Sequence, residues 1–227
     1  MTLQVNKKKR VFLVAAPTLN IFNLTVRAYE TIKNSDCIIL NKKHRHQYKK
    51  FIEKLKLKIF YEEKIFSKEC ENKKQLWKQI YKLTEKFDNI CHLKMGDPLF
   101  FNDGFEEREF LESKKINVVI INGIVEIVDI LNGQKLPLTN RELNSSICFC
   151  ELNNKSILNF SLNQFQDKKI VFKLNALNSI DILLKMLNNV KNKYFVIDEK
   201  IVLCSEKKKI EQLKKTKNYY LVVEKNE

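Results

Sequence analysis

The residues whose types and spacing suit small-molecule chemistry lie in one stretch, His92 through Glu107, which reads HLKMGDPLFFNDGFEE. The chain of 227 residues has only four glycines, where the usual frequency of about 7% would place roughly 16. All four, Gly96, Gly104, Gly123 and Gly133, fall between residues 96 and 133, and Pro98 and Pro137 fall in the same region. Lysine and asparagine fill much of the remainder. Glycine therefore persists where φ must be positive or where a ligand approaches the main chain. Residues 93–141 read as the wall of a small-molecule site. Gly96-Asp97-Pro98 taken alone reads more simply as an ordinary tight turn after a strand, with Asp97 as its capping residue, a role compatible with ligand binding.

The other candidate chemistries are weaker. His44-Arg45-His46 offers only two metal ligands, so a basic, solvated helix start is the simpler reading and no metal site is expected. The six cysteines, Cys37, Cys70, Cys91, Cys148, Cys150 and Cys204, form no CxxC pair, and reduced, mostly buried thiols are expected. Cys148 and Cys150 share one face of a predicted strand. Trp77 and the scattered phenylalanines read as core. The formal net charge of +15 suits nucleic acid, an anionic membrane or a polyanionic small molecule, but heavy use of Lys, Asn and Ile also fits an AT-rich genome. No run of eighteen apolar residues exists, and residues 1–10 lack a signal-type apolar stretch, so a cytoplasmic protein without a membrane partner is expected.

The elements that must position these residues follow from periodicity. Apolar runs at 10–16, 36–40, 57–61, 90–93 and 118–121 predict strands, and helical spacing predicts helices over 24–32, 44–56, 71–87, 105–113 and 123–131. The βαβ opening argues for a parallel α/β sheet. The second half has strand candidates at 147–151, 169–174, 194–197, 201–204 and 219–223, with helices expected over 178–190 and 206–215. Its strands come closer together, which predicts a mixed sheet. The expected domain boundary falls near 115–122, giving 1–117 and 118–227.

In order and spacing, these stretches resemble the tetrapyrrole methylase family. Residues 95–107 (MGDPLFFNDGFEE) are similar to its GGDPFxFGRGGEE segment, Asn122-Gly123-Ile124 to its PGI turn, and residues 136–141 (LPLTNR) to its IPLTHR. The distance from Gly123 to Arg141 matches without a gap. Residues 11–28 align ungapped with the opening VYLVGAGPGDPELLTLRA, and residues 169–174 (KIVFKL) resemble its TLVFYM strand. The resemblance implies an α/β fold of two α/β domains with the active site in the cleft between them, S-adenosyl-L-methionine (SAM) as cofactor, and a homodimer. The implied activity is methyl transfer to C2 and C7 of uroporphyrinogen III, a tetrapyrrole with eight carboxylates, giving precorrin-2 for sirohaem or cobalamin.

The same resemblance assigns residues, and several depart from the family. The GAGPGD loop is here Ala15-Ala16-Pro17-Thr18-Leu19-Asn20, without its glycines and with Thr18 at the proline position. Met95 replaces the first glycine of GGDP, and Asp103 replaces the arginine of GRG, a charge reversal. The family's proposed proton acceptor, an aspartate, falls on Asn41, which cannot ionise, and its lysine proton donor falls on Lys64. The threonine and alanine of PGITA fall on Val125 and Glu126, the methionine of TLVFYM on Leu174, and a late ENG turn on residues 198–200. Implied cofactor contacts are thus Thr18, Met95, Gly96, Asp97, Phe100, Val125, Glu126, Leu174 and Lys200. Arg27 and Arg141 are candidates to grip substrate carboxylates through charge-assisted hydrogen bonds, although Arg27, in a helix, equally suits a surface salt bridge. The departures motivate a non-catalytic family member as an alternative. A related methylase acting on RNA is another, although no RNA-recognition signature is present.

Overall fold

The computed structural model describes residues 9–18, 20–65, 73–139, 146–152, 169–174, 192–197, 200–203 and 219–224. The chain divides into two compact units, Met1–Asp129 and Ile130–Glu227.

The first unit is a parallel sheet of five strands, β1 (Arg10–Ala16), β2 (Cys37–Leu40), β3 (Lys58–Tyr61), β4 (Asn89–Met95) and β5 (Asn117–Ile121), in the order β3-β2-β4-β1-β5. The helices are α1 (Val26–Lys33), α2 (Arg45–Leu55), α3 (Glu62–Ile65), α4 (Lys73–Leu83), α5 (Gly104–Ser113) and α6 (Glu126–Gly133). Because strands of a parallel sheet are buried on both faces, they read as continuous apolar runs rather than alternating ones. Each strand sends alternate residues to opposite cores. Val14, Ala16, Ile38, Leu40, Cys91 and Leu93 pack with Ala28 and Ile32 of α1 and Tyr48 and Ile52 of α2. Val11, Leu13, Cys37, Ile39 and Ile90 pack with Leu76, Trp77 and Ile80 of α4 and Leu111 of α5. Each fully buried Leu or Ile contributes about 1.5–3 kcal/mol of transfer free energy, so the two cores hold the sheet between its helices.

Local chemistry sets the boundaries. Thr25 caps α1 by accepting from the Ala28 amide at 3.1 Å, so the helix begins at Val26 rather than at residue 24. Strand β4 runs past the predicted 90–93 to Met95, its full length pairing with β1 from Arg10↔Asn89 to Ala16↔Met95. Strand β5 also pairs with β1, from Arg10↔Asn117 to Val14↔Ile121. The expected boundary at 117/118 would detach β5 from that sheet. The division instead falls after Asp129, within α6.

The second unit contains β6 (Ile147–Leu152), β7 (Lys169–Leu174), β8 (Asn192–Ile197), β9 (Lys200–Leu203) and β10 (Tyr219–Glu224), in the order β6-β7-β10-β8-β9. Strands β6 and β7 are parallel, whereas β7–β10, β10–β8 and β8–β9 are antiparallel, the mixed sheet expected. Ile170, Val171 and Phe172 of β7 and Leu221, Val222 and Val223 of β10 are buried, as suits central strands. The helices expected over 178–190 and 206–215 lie outside the described residues. The described cysteines, Cys37, Cys91, Cys148 and Cys150, are free thiols, with Cys148 and Cys150 Sγ atoms 3.5 Å apart on one strand.

Candidate active site

The strand order of the first unit contains a switch. The connection from β1 crosses β4 to reach β2, with α1 on one face, and the connection from β4 crosses β1 to reach β5, with α5 on the other. The two chains leave β1 and β4 in opposite directions, and in open α/β sheets the crevice beyond such a pair of carboxyl ends is where ligands bind. The glycine-containing stretch sits at this point.

Its backbone is drawn tight. The Gly96 amide donates to the Ala16 carbonyl at 2.8 Å, closing the end of β4 against the end of β1. Gly96 has φ +73°, and a Cβ there would stand 2.9 Å from the Glu126 amide nitrogen. A Cβ on Gly123 would meet the Ala15 Cβ at 2.5 Å. Asp97 ties the same ends together: its Oδ1 accepts from the Leu99 amide at 2.9 Å and its Oδ2 from the Gly123 amide at 3.1 Å. The capping reading of Asp97 is therefore correct, and the cap reaches from β4 to the turn after β5. Asn102 Nδ2 donates to the carbonyls of Met95 and Asp97, fixing the loop between them, and the Phe100 and Phe101 rings meet edge to face at 4.7 Å.

Side chains line the same end. Buried Thr18 donates from Oγ1 to Glu126 Oε1 at 3.3 Å, and Asn23 Nδ2 donates to Asp129 Oδ1 at 2.8 Å. Asp129 is 6% exposed, and its Oδ2 is buried without a hydrogen-bond partner among the described residues. Tyr48 Oη and Gln47 Nε2 both donate to the Pro17 carbonyl, which holds the turn after β1.

Sequence reasoning missed a buried charge network beside this region. His92 and Lys94, two apart on β4, face α5 together. His92 Nδ1 lies 2.7 Å from Glu107 Oε1 and its Nε2 lies 3.1 Å from Glu62 Oε1. Lys94 Nζ donates to Glu107 Oε2 and to Asp103 Oδ1, each at 2.7 Å, and Lys73 pairs with the other Asp103 oxygen at 3.1 Å. Burial pulls His92 towards neutrality, but the Glu107 carboxylate, with Glu62 hydrogen-bonded opposite, raises it to about 9. Burial works against ionising Glu107 and Glu62 as well, yet His92 and Lys94 hold the first, and chiefly His92 with Asn41 the second, below the usual carboxylate range. Burial likewise opposes the Asp103 charge, and Lys94 overcomes it. The charge reversal at Asp103 is thus answered within the fold. The available signal was polar His92 and Lys94 alternating with apolar neighbours, and Glu107 on the helix face of Leu111.

Of the predicted site residues, Thr18, Met95, Gly96, Asp97, Phe100, Val125 and Glu126 come together at the carboxyl ends of β1, β4 and β5. Asn41 caps the turn after β2, accepting from the Lys43 amide at 3.1 Å, and donates from Nδ2 to Glu62 Oε2 at 3.0 Å. Lys64 lies in α3, with only its own backbone described. Arg27 is exposed in the first turn of α1. Leu174 ends β7 and Lys200 begins β9, both in the second unit and described by backbone alone, and Arg141 lies outside the described residues.

Residues 10–209 match the family model of Tetrapyrrole (Corrin/Porphyrin) Methylases. A uroporphyrinogen-III C-methyltransferase of Cyanidium caldarium is 30% identical over 145 residues, covering 62% of this chain and 56% of that protein. A sirohaem synthase of Blochmanniella pennsylvanica is 26% identical over 180 residues, covering 78% of this chain but 38% of that one. The match therefore spans little more than half, or less, of these relatives' own lengths. A solved uroporphyrin-III C-methyltransferase of Thermus thermophilus, complexed with S-adenosyl homocysteine, superposes with a TM-score of 0.66 at 18% identity, covering 94% of this chain and 97% of that one.

Proposed function

The chain belongs to the tetrapyrrole (corrin/porphyrin) methylase family, and on that premise we propose that it is a SAM-dependent C-methyltransferase acting on uroporphyrinogen III to give precorrin-2. The observation that carries this reading is the convergence of Thr18, Gly96, Asp97 and Glu126 where β1 and β4 diverge, with Asp97 bonded to Gly123 across the strand ends. The residues present fit SAM. Tight main-chain bends supply rigid polar backbone, and the unpartnered Asp129 oxygen supplies an acceptor. When bound, SAM supplies an electrophilic methyl group on a sulfonium.

The chain's own residues do the rest. Transfer to carbon requires donor methyl and acceptor carbon to be held in line and in contact, with water kept out. The Gly96 bend, locked by Asp97 and Asn102, is rigid enough to hold that geometry. The electron-rich pyrrole needs no metal activation. A proton must leave the methylated ring, to water or a placed base. At the position of the family's acceptor, Asn41 cannot take it. Its amide instead anchors the Glu62 carboxylate, and Lys64 stands two residues further along the same short helix. Arg27 and Arg141 are assigned to the substrate's carboxylates, and the assembly is proposed to be a homodimer.

The test is incubation of the purified protein with SAM and uroporphyrinogen III under reducing conditions, read by mass spectrometry. A product heavier by two methyl groups is expected. SAM binding by calorimetry without any methylated product would redirect the reading to another substrate, and absence of SAM binding would replace it with the non-catalytic one.

A further inference from the structure

Two departures from the family, Thr18 and Glu126, are not scattered drift: they touch each other. Thr18 holds Glu126 at 3.3 Å, and one helical turn on, Asn23 holds Asp129 at 2.8 Å. Two acidic side chains of α6 thus lie against the segment after β1, with Thr18 bonded to Glu126 and Asn23 to Asp129. The Glu126 Cβ stands 3.0 Å from where a Gly96 Cβ would be, so this residue lies directly over the bend that ends β4. Asp129 is over nine-tenths buried, with Asn23 on Oδ1 and no partner on Oδ2 among the described residues. A buried acceptor left without a donor costs stability unless something else fills it, and a carboxylate is satisfied best by a cation.

Methyl transfer changes one charge. The sulfonium of SAM is positive, and the thioether left in S-adenosylhomocysteine is neutral. We propose that Glu126 and Asp129 discriminate between the two by charge, favouring the cationic donor over its neutral product and so promoting product release. This inference rests on the SAM-dependent reading of the same site. Thr18 and Asn23 are the positioning residues: they keep the two carboxylates turned towards the β1–β4 end in place of the glycine loop.

The experiment is calorimetry of the full chain with SAM, with S-adenosylhomocysteine, and with an analogue bearing an ammonium in place of the methylsulfonium. The wild type is expected to bind both cations more tightly than the neutral product, by about fivefold or more. Glu126→Gln and Asp129→Asn each narrow that gap by weakening the cations while leaving affinity for the product nearly unchanged. The retained product affinity doubles as the control for folding, and Glu126, half-buried and replaced by an isostere, gives the variant safest for the core. A wild type that binds product as tightly as donor overturns the inference and leaves the methyltransferase reading standing. Variants that lose donor and product equally also overturn it, since a structural role does that. A folded wild type that binds none of the three ligands overturns the SAM-dependent reading itself.

Discussion

A glycine at position 96 or 123 is a demand of the backbone. At Gly96 two costs coincide, a φ of +73° and a Cβ that would press on the Glu126 main chain at 2.9 Å. Gly96→Ala is expected to lose about 1–3 kcal/mol in urea unfolding, the usual cost of a non-glycine residue held in the left-handed region. Donor affinity should fall with it, because relief of the contact moves Glu126. Gly123→Ala meets a different obstacle, the Ala15 side chain at 2.5 Å, which can be removed. Ala15→Gly should therefore rescue Gly123→Ala in a double-mutant cycle, with coupling of about 1 kcal/mol or more. No comparable rescue is available at Gly96, because the opposing atom is backbone. These two glycines were legible in the sequence because glycine is so rare in this chain that its placement is informative.

The element that sequence reading understated is the β4–α5 hairpin of strand and helix. The run from Ile90 to Leu93 was visible as a strand, but Lys94 ended it early because charge does not advertise itself as core. The physical reason His92 and Lys94 are core is distant in sequence. Glu107 on α5, Asp103 before it and Glu62 on α3 supply counter-charges that no local window contains, and Lys73 on α4 pairs in turn with Asp103. Such a network is costly to leave half-made. Lys94→Met is expected to destabilise by about 3–5 kcal/mol, since it takes the shared buried cation from Glu107 and Asp103 and leaves one oxygen of each carboxylate without its ion-pair partner. Adding Glu107→Gln and Asp103→Asn to Lys94→Met should recover a large part of that loss, measured by the urea midpoint. The same reasoning explains β5. Its apolar run was evident, but its allegiance to β1 across a hundred residues was not, so the expected boundary fell short of it. By contrast, the apolar strand runs and the helix stripes through Ala28 and Ile32 or Leu76 and Ile80 depend on local pattern alone, and they were read correctly.

Over the whole molecule, two histidines pull stability in opposite directions with pH. His92, raised to about 9 by Glu107 and Glu62 against its burial, binds a proton more tightly folded than unfolded. Its contribution is complete below the ordinary histidine value near 6.5 and is lost as pH rises from there through about 9. His44 is the reverse: burial, reinforced by Lys43, lowers it to about 4, so the folded state resists its protonation. Stability therefore falls as pH drops from about 6.5 through about 4. Below that, protonation of Glu62, Glu107 and Asp103, all held low by His92 or Lys94, dismantles the network and adds to a formal charge already at +15. Urea midpoints measured from pH 4 to pH 9 should trace a maximum near pH 6.5. His44→Gln should flatten the limb between pH 4 and 6.5 and leave the alkaline limb intact. His92→Gln should lower the whole curve, because it deprives Glu107 of a cation, and remove the decline between pH 6.5 and 9. A curve that instead rises steadily to pH 9 would mean that the fold holds no extra proton at His92 or its carboxylate partners, so that the imidazole is neutral beside ionised carboxylates.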